Sequence, residues 1–330
     1  MNQVNAQVLP KYAFFGGRIV PYSEAKIGIL THALNYGTAV FGGLRAYWND
    51  DEKQLFIFRP MDHFTRFLQS ARLMCMELPY SPADFTKNLT DLMRMEGHKE
   101  DCYIRPLAFF DDEIIGVRLH NVHPQVSIVA IPFGRYGTNE ENGMHVTVSS
   151  WRRVDDNIIP ARGKIAGAYV NSAFAKTDAN RAGFDEVIVL NQDGHVSEGS
   201  AANIFLYRNG EWATPPITDN VLEGITRRTI IQLMRDELNW KIVERTIDRT
   251  EVYLADEMFF SGTGVQISAI TRVDFRNVGT GQVGEGTIAL RKLFDNVVHG
   301  RSAKYRQWCH PVFERTPDAS STRPAAVSVK

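Results

Sequence analysis

The sequence of 330 residues predicts an α+β fold. Short apolar runs typical of strands and segments with helical periodicity both occur, but they do not alternate as they do in a doubly wound sheet. The chain is longer than one average domain, and 44% of its residues are hydrophobic and 23% are charged, as in ordinary globular proteins. We therefore expect two domains that each combine helices with sheet.

The first predicted domain spans residues 1–133. Glycine and asparagine between apolar runs indicate two tight hairpins, because these residues adopt the backbone angles that such turns need. A Ser-Pro pair followed by apolar residues at helical spacing indicates a helix from about residue 81, and another helix is expected to begin at Pro60. The predicted strands are 12–15, 18–20, 43–48, 54–58, 103–110 and 125–131.

The second predicted domain spans residues 144–315 and is richer in short strands. Residues 134–143 contain three glycines and several polar residues and are predicted to form the linker between the domains. The tail 316–330 is rich in Ser, Thr, Pro and Ala and is predicted to be disordered. The predicted strands are 144–149, 186–190, 203–207 and 241–247, and the predicted helices are 226–238 and 287–298.

Composition excludes several classes of partner. The 37 basic and 38 acidic residues give a net charge of -1, which indicates neither a nucleic-acid surface nor a membrane surface. The three cysteines are widely spaced, which predicts no disulfide framework and no metal site. We expect no secretory signal and no membrane span, and hence a cytoplasmic protein.

Lys164 is the candidate catalytic residue. It is flanked by small and apolar residues, and no other lysine occurs between Lys99 and Lys164. Burial disfavours the charged form of an amine, and a neutral lysine amine is the nucleophile of Schiff-base enzymes. The alternative is a loop lysine whose stem covers apolar surface while its charged end stays in solvent.

Four other features suit a charged ligand. Glu198 follows the turn 192–194 and precedes small residues, so it can pair with a buried cationic nitrogen or be an ordinary turn acid. Arg59 lies between a strand and a helix start and can hold a phosphate or remain on the surface. The small-residue segments 222–227 and 261–264 can bind an anion through backbone N–H groups, although helix capping explains the first nearly as well.

Taken together, these motifs resemble fold-type IV pyridoxal-phosphate enzymes, and among them most closely the branched-chain amino acid aminotransferases. The resemblance covers about residues 10–300 and implies a small α/β N-terminal domain and a larger pseudo-barrel C-terminal domain. Each motif is modest alone, but their common order along the chain makes the resemblance specific. The motifs are 35–38 with Phe41, 103–107, Lys164 with Tyr169, 197–199, 223–227 and 261–263.

The resemblance implies a role for each cofactor-binding residue. Lys164 resembles the lysine that binds pyridoxal 5'-phosphate covalently and then moves the substrate proton. Glu198 resembles the acid that pairs with the pyridine nitrogen and keeps the ring an electron sink. Tyr169 resembles the tyrosine that hydrogen-bonds the ring hydroxyl. The remaining implied cofactor contacts, mostly to the phosphate, are Arg59, Leu222, Ile225, Thr226 and Thr263.

The resemblance also implies the substrates and a partner. Amino acid and 2-oxo acid substrates, namely Leu, Ile or Val with 2-oxoglutarate, are expected to exchange an amino group in two half-reactions. Tyr36 and Val117 match positions that the neighbouring subunit supplies, so a homodimer or higher homo-oligomer is expected. The implied substrate-binding residues are Tyr36, Phe41, Tyr103, Arg105, Val117, Tyr136, Gly262 and Thr263.

Three positions depart from the branched-chain pattern. Gly42 stands where a glutamate is usual, and Ala201-Ala202 replaces Gly-Glu before Asn203. The loop 113–118 lacks a Gly-Met-Gly pattern and contains Arg118, which can bind a second substrate carboxylate or remain solvated.

Two kinds of alternative function remain at the level of sequence. One is another activity of the same fold: a D-amino acid or (R)-amine transaminase, or an aminodeoxychorismate lyase, which the stretch 201–203 somewhat resembles. The strand 105–107 lacks the Arg-x-His pattern of the D-amino acid enzymes. The other alternative is a non-catalytic binding relative, but neither Lys164 nor Glu198 is needed merely to fold.

Overall fold

The computed structural model describes residues 8–134 and 142–314, and within them the chain forms two large sheets with helices packed on them. The predicted linker 134–143, apart from its ends, and the predicted disordered tail lie outside the described residues. The helices are α1 His32–Tyr36, α2 Pro60–Leu73, α3 Pro82–Glu96, α4 Tyr169–Arg181, α5 Ile225–Asp236 and α6 Glu285–Val298. The strands are β1 Tyr12–Phe15, β2 Arg18–Pro21, β3 Ala39–Phe41, β4 Leu44–Asn49, β5 Gln54–Phe58, β6 Cys102–Phe110, β7 Pro124–Pro132, β8 Met144–Arg152, β9 Glu186–Leu190, β10 Val196–Gly199, β11 Asn203–Arg208, β12 Glu211–Thr214, β13 Ile242–Glu244, β14 Glu257–Gly262, β15 Gln266–Val273, β16 Arg276–Asn277 and β17 Cys309–Pro311.

The first sheet has the strand order β17-β5-β4-β6-β7-β1-β2, with β3 paired to β6. Its pairs are antiparallel, and the long strands β6 and β7 run side by side from Cys102 to Phe110. Helices α2 and α3 contribute Phe64, Phe67 and Phe85 to the core beneath this sheet. Helix α3 begins where the sequence predicts, because Ser81 and Asp84 cap its first turn reciprocally.

The second sheet has the strand order β10-β9-β8-β15-β14-β11-β12-β13 and is mixed. Strand β8 runs parallel to both β9 and β15, whereas β14 and β11 are antiparallel neighbours. One hydrophobic core takes Tyr47 and Phe56 from the first sheet, Phe259 from the second, and apolar residues of α5 and α6. The two sheets therefore share a buried core, and the space between them is where a site can form.

Most predicted elements are confirmed, and the differences have physical causes. The strand predicted at 241–247 is only Ile242–Glu244, because this edge strand pairs with three residues of β12. Helix α4 was missed because it buries only Ala175 and Ala179 and so lacks a broad apolar stripe. The domain boundaries stay a prediction; β17 lies in the segment assigned to the second domain yet pairs with β5 of the first sheet.

Candidate active site

A cavity of about 660 Å³ lies between the two sheets. Its walls come from β3, β6 and β7 on one side and from β10, β11, β14 and the start of α5 on the other. It brings together most of the residues that the sequence singled out. The predicted site residues that line it are Phe41, Tyr103, Arg105, Lys164, Tyr169, Glu198, Leu222, Ile225, Thr226, Gly262 and Thr263.

The backbone of Lys164 is fixed from two directions. Its carbonyl accepts a hydrogen bond from the Phe41 N–H at 3.0 Å, and its own N–H donates to Ser70 Oγ at 3.1 Å. An isolated bridge between Val40 and Ile165 extends this pairing by one residue. The lysine is therefore held between β3 and α2, although the loop that carries it has no regular secondary structure before it.

The Lys164 amine points into the cavity. Nζ donates a hydrogen bond to the Tyr169 hydroxyl at 2.5 Å and lies 4.9 Å from the centre of the Phe41 ring. Burial, and after it the positive charge of Arg66, lower the pKa of Lys164 to about 7, although the negative charge of Glu198 opposes the shift. A substantial fraction of this amine is therefore neutral at physiological pH and able to act as a nucleophile or base.

Glu198 is the buried acid of the cavity. It forms an ion pair with Arg153 at 3.0 Å and accepts hydrogen bonds from Asn203 Nδ2 and from the Leu222 N–H, both at 3.1 Å. A register shift between Val196 and Glu198 in the pairing of β10 with β9 changes the direction of the strand at this residue. Burial raises the pKa of Glu198 while Arg153 opposes the rise, so the carboxylate is placed to receive a further positive charge.

Another part of the cavity wall suits an anion. Helix α5 begins there, no side chain caps its N-terminus, and Ile225 and Thr226 of its first turn line the cavity. Its N-cap is Gly224, where any Cβ would clash with the Asn203 amide that holds Glu198. The fully buried Ser261 hydroxyl also lines the cavity and has no hydrogen-bond partner among the described residues.

The arginine that the resemblance assigns to the phosphate lies outside the lining of the cavity. Arg59 does not line the cavity; its guanidinium pairs with Asp62 at 2.7 Å, donates to Thr229 and lies over the Trp308 ring. Arg66, two turns further along α2, lines the cavity instead and donates to the Glu223 carbonyl at 3.0 Å. Arg59 is the N-cap of α2 and has a left-handed φ of 48°, whereas Arg66 lies within the helix.

Phe41, Tyr103 and Arg105, three of the predicted substrate residues, lie on the wall contributed by the first sheet. Arg105 donates to the Tyr103 hydroxyl at 2.9 Å, and its guanidinium lies 4.6 Å from the centre of the Phe41 ring. Among the described residues, no carboxylate forms an ion pair with Arg105, and its side chain is exposed. A Cβ at Gly43 would lie 2.5 Å from the Tyr103 hydroxyl, so glycine is required for this tyrosine position.

Two of the described substrate residues, Tyr36 and Val117, do not line the cavity of their own chain. Tyr136 lies outside the described residues. Tyr36, at the end of α1, accepts a hydrogen bond from the Gly116 N–H at 3.0 Å, and the neighbouring Val117 is 86% exposed. The end of α1 and the loop that carries Val117 therefore lie side by side, outside the lining of their own chain's cavity.

The three departures from the branched-chain pattern have different structural settings. A Cβ at Gly42 would lie 2.5 Å from Pro106 Cγ, so in this chain no side chain fits there without moving the proline. Ala201 and Ala202 line the cavity and leave space beside the turn that follows β14. Arg118 does not line the cavity of its own chain.

Sequence reasoning missed two charged residues of the site. Arg153 pairs with Glu198 from the end of β8, and Arg66 lines the cavity from α2. Helical spacing could have indicated Arg66, because it lies one turn after His63 in the helix predicted to begin at Pro60. In the structure His63 is buried on the side of this helix that faces Lys164. Arg153 carried none, since it follows another arginine and a tryptophan at a strand end.

The fold and the site define a class of enzyme. The family described as amino-transferase class IV matches residues 39–273 of the chain, and the chain belongs to this family. It is therefore an enzyme of the aminotransferase class.

The similar proteins that carry a more particular name agree with one another. A protein of Aquifex aeolicus, named a probable branched-chain-amino-acid aminotransferase, is 44% identical over 304 residues, which is 92% of this chain and 97% of that protein. The branched-chain aminotransferase of Thermoproteus uzoniensis with norvaline is 40% identical, with a TM-score of 0.88 over 92% of this chain and 100% of that one. The PLP-form of the Thermobaculum terrenum branched-chain amino acid aminotransferase has a TM-score of 0.88 at 35% identity, over 93% of this chain and 100% of that one.

Proposed function

We propose that this chain transfers amino groups between the branched-chain L-amino acids leucine, isoleucine and valine and 2-oxoglutarate, with pyridoxal 5'-phosphate as its cofactor. One observation carries the proposal: a lysine amine with its pKa lowered to about 7 lies in a cavity that also contains a buried glutamate. Relatives with 36–44% identity that are named branched-chain-amino-acid aminotransferases support the substrate class.

The charged and polar groups of the cavity fit this cofactor at each of its ends. The uncapped start of α5, the guanidinium of Arg66 and the unpartnered Ser261 hydroxyl suit a phosphate. The buried carboxylate of Glu198 suits a protonated ring nitrogen, and the hydroxyl of Tyr169 suits a ring oxygen. Thr226 and Thr263 line the same cavity and can add hydroxyl donors to the phosphate.

When bound, pyridoxal phosphate supplies an aldehyde that condenses with amines and a ring that withdraws electrons from the substrate carbon. Lys164 then holds and moves the proton at Nζ, because its neutral amine accepts a proton and its charged form returns one. Tyr169 orients that amine through the hydrogen bond at 2.5 Å. Glu198, held by Arg153, keeps a negative charge at the ring-nitrogen end of the cavity.

The substrate wall suits both an aliphatic and an acidic side chain. Phe41, Leu107, Ile131 and Phe133 give it apolar surface for a branched side chain. Arg105, which no carboxylate of the described residues neutralises, can bind the second carboxylate of glutamate or 2-oxoglutarate. One pocket can therefore accept both members of the exchange.

We also propose that two copies of the chain form a homodimer in which each supplies Tyr36 and Val117 to the cavity of the other. Exposed apolar side chains surround these residues, and Ile29, Ile115 and Val117 are 79%, 66% and 86% exposed. Apolar patches of this kind mark contact surfaces. No helix in the described ranges is long and apolar enough to cross a membrane. We further propose a cytoplasmic location, which the three free cysteines support.

A screen of amino donors tests the proposed activity. Protein purified with pyridoxal phosphate should show a visible absorption band that borohydride bleaches. With 2-oxoglutarate as acceptor, it should use L-leucine, L-isoleucine and L-valine, and Lys164→Ala should abolish turnover. Activity only with D-alanine or (R)-1-phenylethylamine would overturn the substrate class, and the absence of the absorption band would overturn the cofactor.

Mixing two inactive variants tests the shared site. A Tyr36→Ala protomer retains its own Lys164, and a Lys164→Ala protomer retains Tyr36 for its neighbour. After the subunits exchange, half the dimers are mixed and one of their two sites is intact, so activity should recover to about a quarter of that of the unmodified protein. No recovery, in a mixture whose subunit exchange is verified by native mass spectrometry, would contradict this arrangement.

A further inference from the structure

Gln266 occupies a backbone conformation that its side chain makes unfavourable. It is the first residue of β15 and has a φ of 52°, in the left-handed region where non-glycine residues are uncommon. Glycine would adopt this conformation without strain. Residues held in such a conformation are a reason to look for a functional constraint on the side chain.

The turn that Gln266 closes forms part of the cavity. Gln266 pairs with Gly262 of β14, and the three residues between them, Thr263, Gly264 and Val265, all line the cavity. The position of this turn therefore sets one wall of the site on the side of the second sheet.

The Gln266 side chain reaches across to the first sheet. Its Nε2 donates a hydrogen bond at 3.4 Å to the hydroxyl of Tyr47, which lies on β4 and is only 2% exposed. Tyr47 in turn lies under Arg45, two residues earlier on the same strand, with the guanidinium carbon 5.3 Å from the ring centre. Burial raises the pKa of Tyr47 to about 12, so this hydroxyl remains protonated and polar at neutral pH.

Arg45 completes the connection to the opposite wall. Its side chain is 2% exposed, and its Nη2 donates to the carbonyls of Phe133 and Gly134 at 2.7 and 2.8 Å. The Phe133 ring lines the cavity and lies 5.3 Å from the Tyr103 ring. Arg45, Tyr47 and Gln266, here called the polar bridge, therefore join the turn at 263–265 to Phe133 through buried groups.

We propose that the polar bridge is a positioning device for substrate binding, in which Gln266 fixes the turn at 263–265 at a set distance from Phe133. This inference rests on the proposed function, because it takes the cavity to be the substrate site. None of the three bridge residues lines the cavity, so they act through the turn and Phe133 and not by touching substrate. Without the bridge, each binding event must first order the turn, which weakens substrate binding more than it slows the chemical steps.

Variants at position 266 separate the effect of the side-chain hydrogen bond from the effect of the backbone conformation. Gln266→Gly relieves the backbone strain, and Gln266→Asn also suits a left-handed angle, but neither reaches Tyr47. Both should raise the KM for L-leucine about fivefold, the loss of one hydrogen bond of ordinary strength, with kcat changed less than about twofold. Gln266→Glu retains the length and accepts a hydrogen bond from the Tyr47 hydroxyl, so it should keep KM near that of the unmodified enzyme.

The matched control is Asn239→Gly, which makes the same backbone change at an exposed residue with a φ of 51°. It should leave both kinetic constants unchanged. Tyr47→Phe removes only the hydroxyl and should reproduce the effect of Gln266→Asn, and combining the two should add nothing. Tyr47→Phe also keeps the inference testable if a variant at 266 does not fold.

A second readout does not depend on activity. Hydrogen–deuterium exchange of the amides in 262–266, measured without substrate, should become faster in Gln266→Gly and Tyr47→Phe but not in Asn239→Gly. The inference is overturned if Gln266→Gly matches Asn239→Gly in both KM and exchange while the unmodified protein is active. If the unmodified protein has no transaminase activity, the proposed function fails, and the exchange measurement still decides whether the polar bridge holds the turn.

Discussion

The Lys164 amine should titrate near pH 7 in the protein without cofactor, and this value follows from its surroundings. Burial disfavours the charged amine, and Arg66 adds positive charge nearby, which together lower the pKa from 10.5 to about 7. At pH 7 about half of the Lys164 amines are then neutral, compared with roughly one in 3000 for a lysine that keeps the ordinary value. The protein should therefore present a nucleophilic amine before any ligand binds.

Competitive acetylation with trace acetic anhydride from pH 5 to pH 10 measures this titration, because only the neutral amine reacts. Mass spectrometry follows the peptide that contains Lys164, and Nα-acetyl-lysine amide added to the same solution serves as the reference amine. Labelling of Lys164 should rise through pH 7 and level off above pH 8. Labelling of the reference amine should keep rising by about tenfold per pH unit up to about pH 9.

Two variants should shift the pKa of Lys164 in opposite directions. Arg66→Met removes a positive charge that disfavours the lysine cation, so the pKa of Lys164 should rise. Glu198→Gln removes a negative charge that favours the cation, so the pKa should fall further. If labelling of Lys164 rises in parallel with that of the added reference amine up to pH 9, burial does not control the Lys164 amine and the reasoning is refuted.

Three further predictions concern cofactor binding, turnover and packing. Glu198→Gln should lower kcat by about 100-fold or more in the donor assay while the visible cofactor band persists; unchanged kcat would remove Glu198 from its proposed role. Arg66→Met should weaken pyridoxal phosphate binding by about tenfold or more in a fluorescence titration, whereas Arg59→Met should change it by less than about twofold. A larger loss of affinity in Arg59→Met than in Arg66→Met would instead assign Arg59 to the phosphate. Gly42→Ala should lower the free energy of unfolding by about 1–3 kcal/mol, because its Cβ meets Pro106. In a double-mutant cycle measured by chemical denaturation, the same change made in a Pro106→Ala background should cost much less. If the two substitutions have additive effects, the contact is contradicted.

Local patterns in the sequence were enough to predict most of the elements that carry the site. Turn residues and apolar spacing predicted the strands β4–β7 and β9, and the Ser81–Asp84 cap confirmed the start of α3. These signals are local, because a cap or a hairpin depends on residues only a few positions apart. Helix α4 had no such signal, since alanine supplies most of its buried surface.

A site residue could be predicted from the sequence when the residues next to it in the chain already indicated unusual surroundings. Lys164 lies among small apolar residues, and Glu198 lies between a turn and a strand, so their unusual surroundings were visible before folding. The choice of Arg59 over Arg66 was not decidable in this way. Both follow the same strand, and only the folded chain shows that Arg66 lines the cavity and Arg59 does not.

The sequence by itself therefore determined the class of fold and singled out Lys164 and Glu198, which the folded chain brings into one cavity. Only the tertiary structure decided which arginines serve them, because Arg153 and Glu198 are 45 positions apart and meet only when β8 and β10 join one sheet. The same holds for Gln266 and Tyr47, which lie 219 positions apart and on different sheets. Contacts of this kind depend on how the sheets pack, and no local pattern encodes that packing.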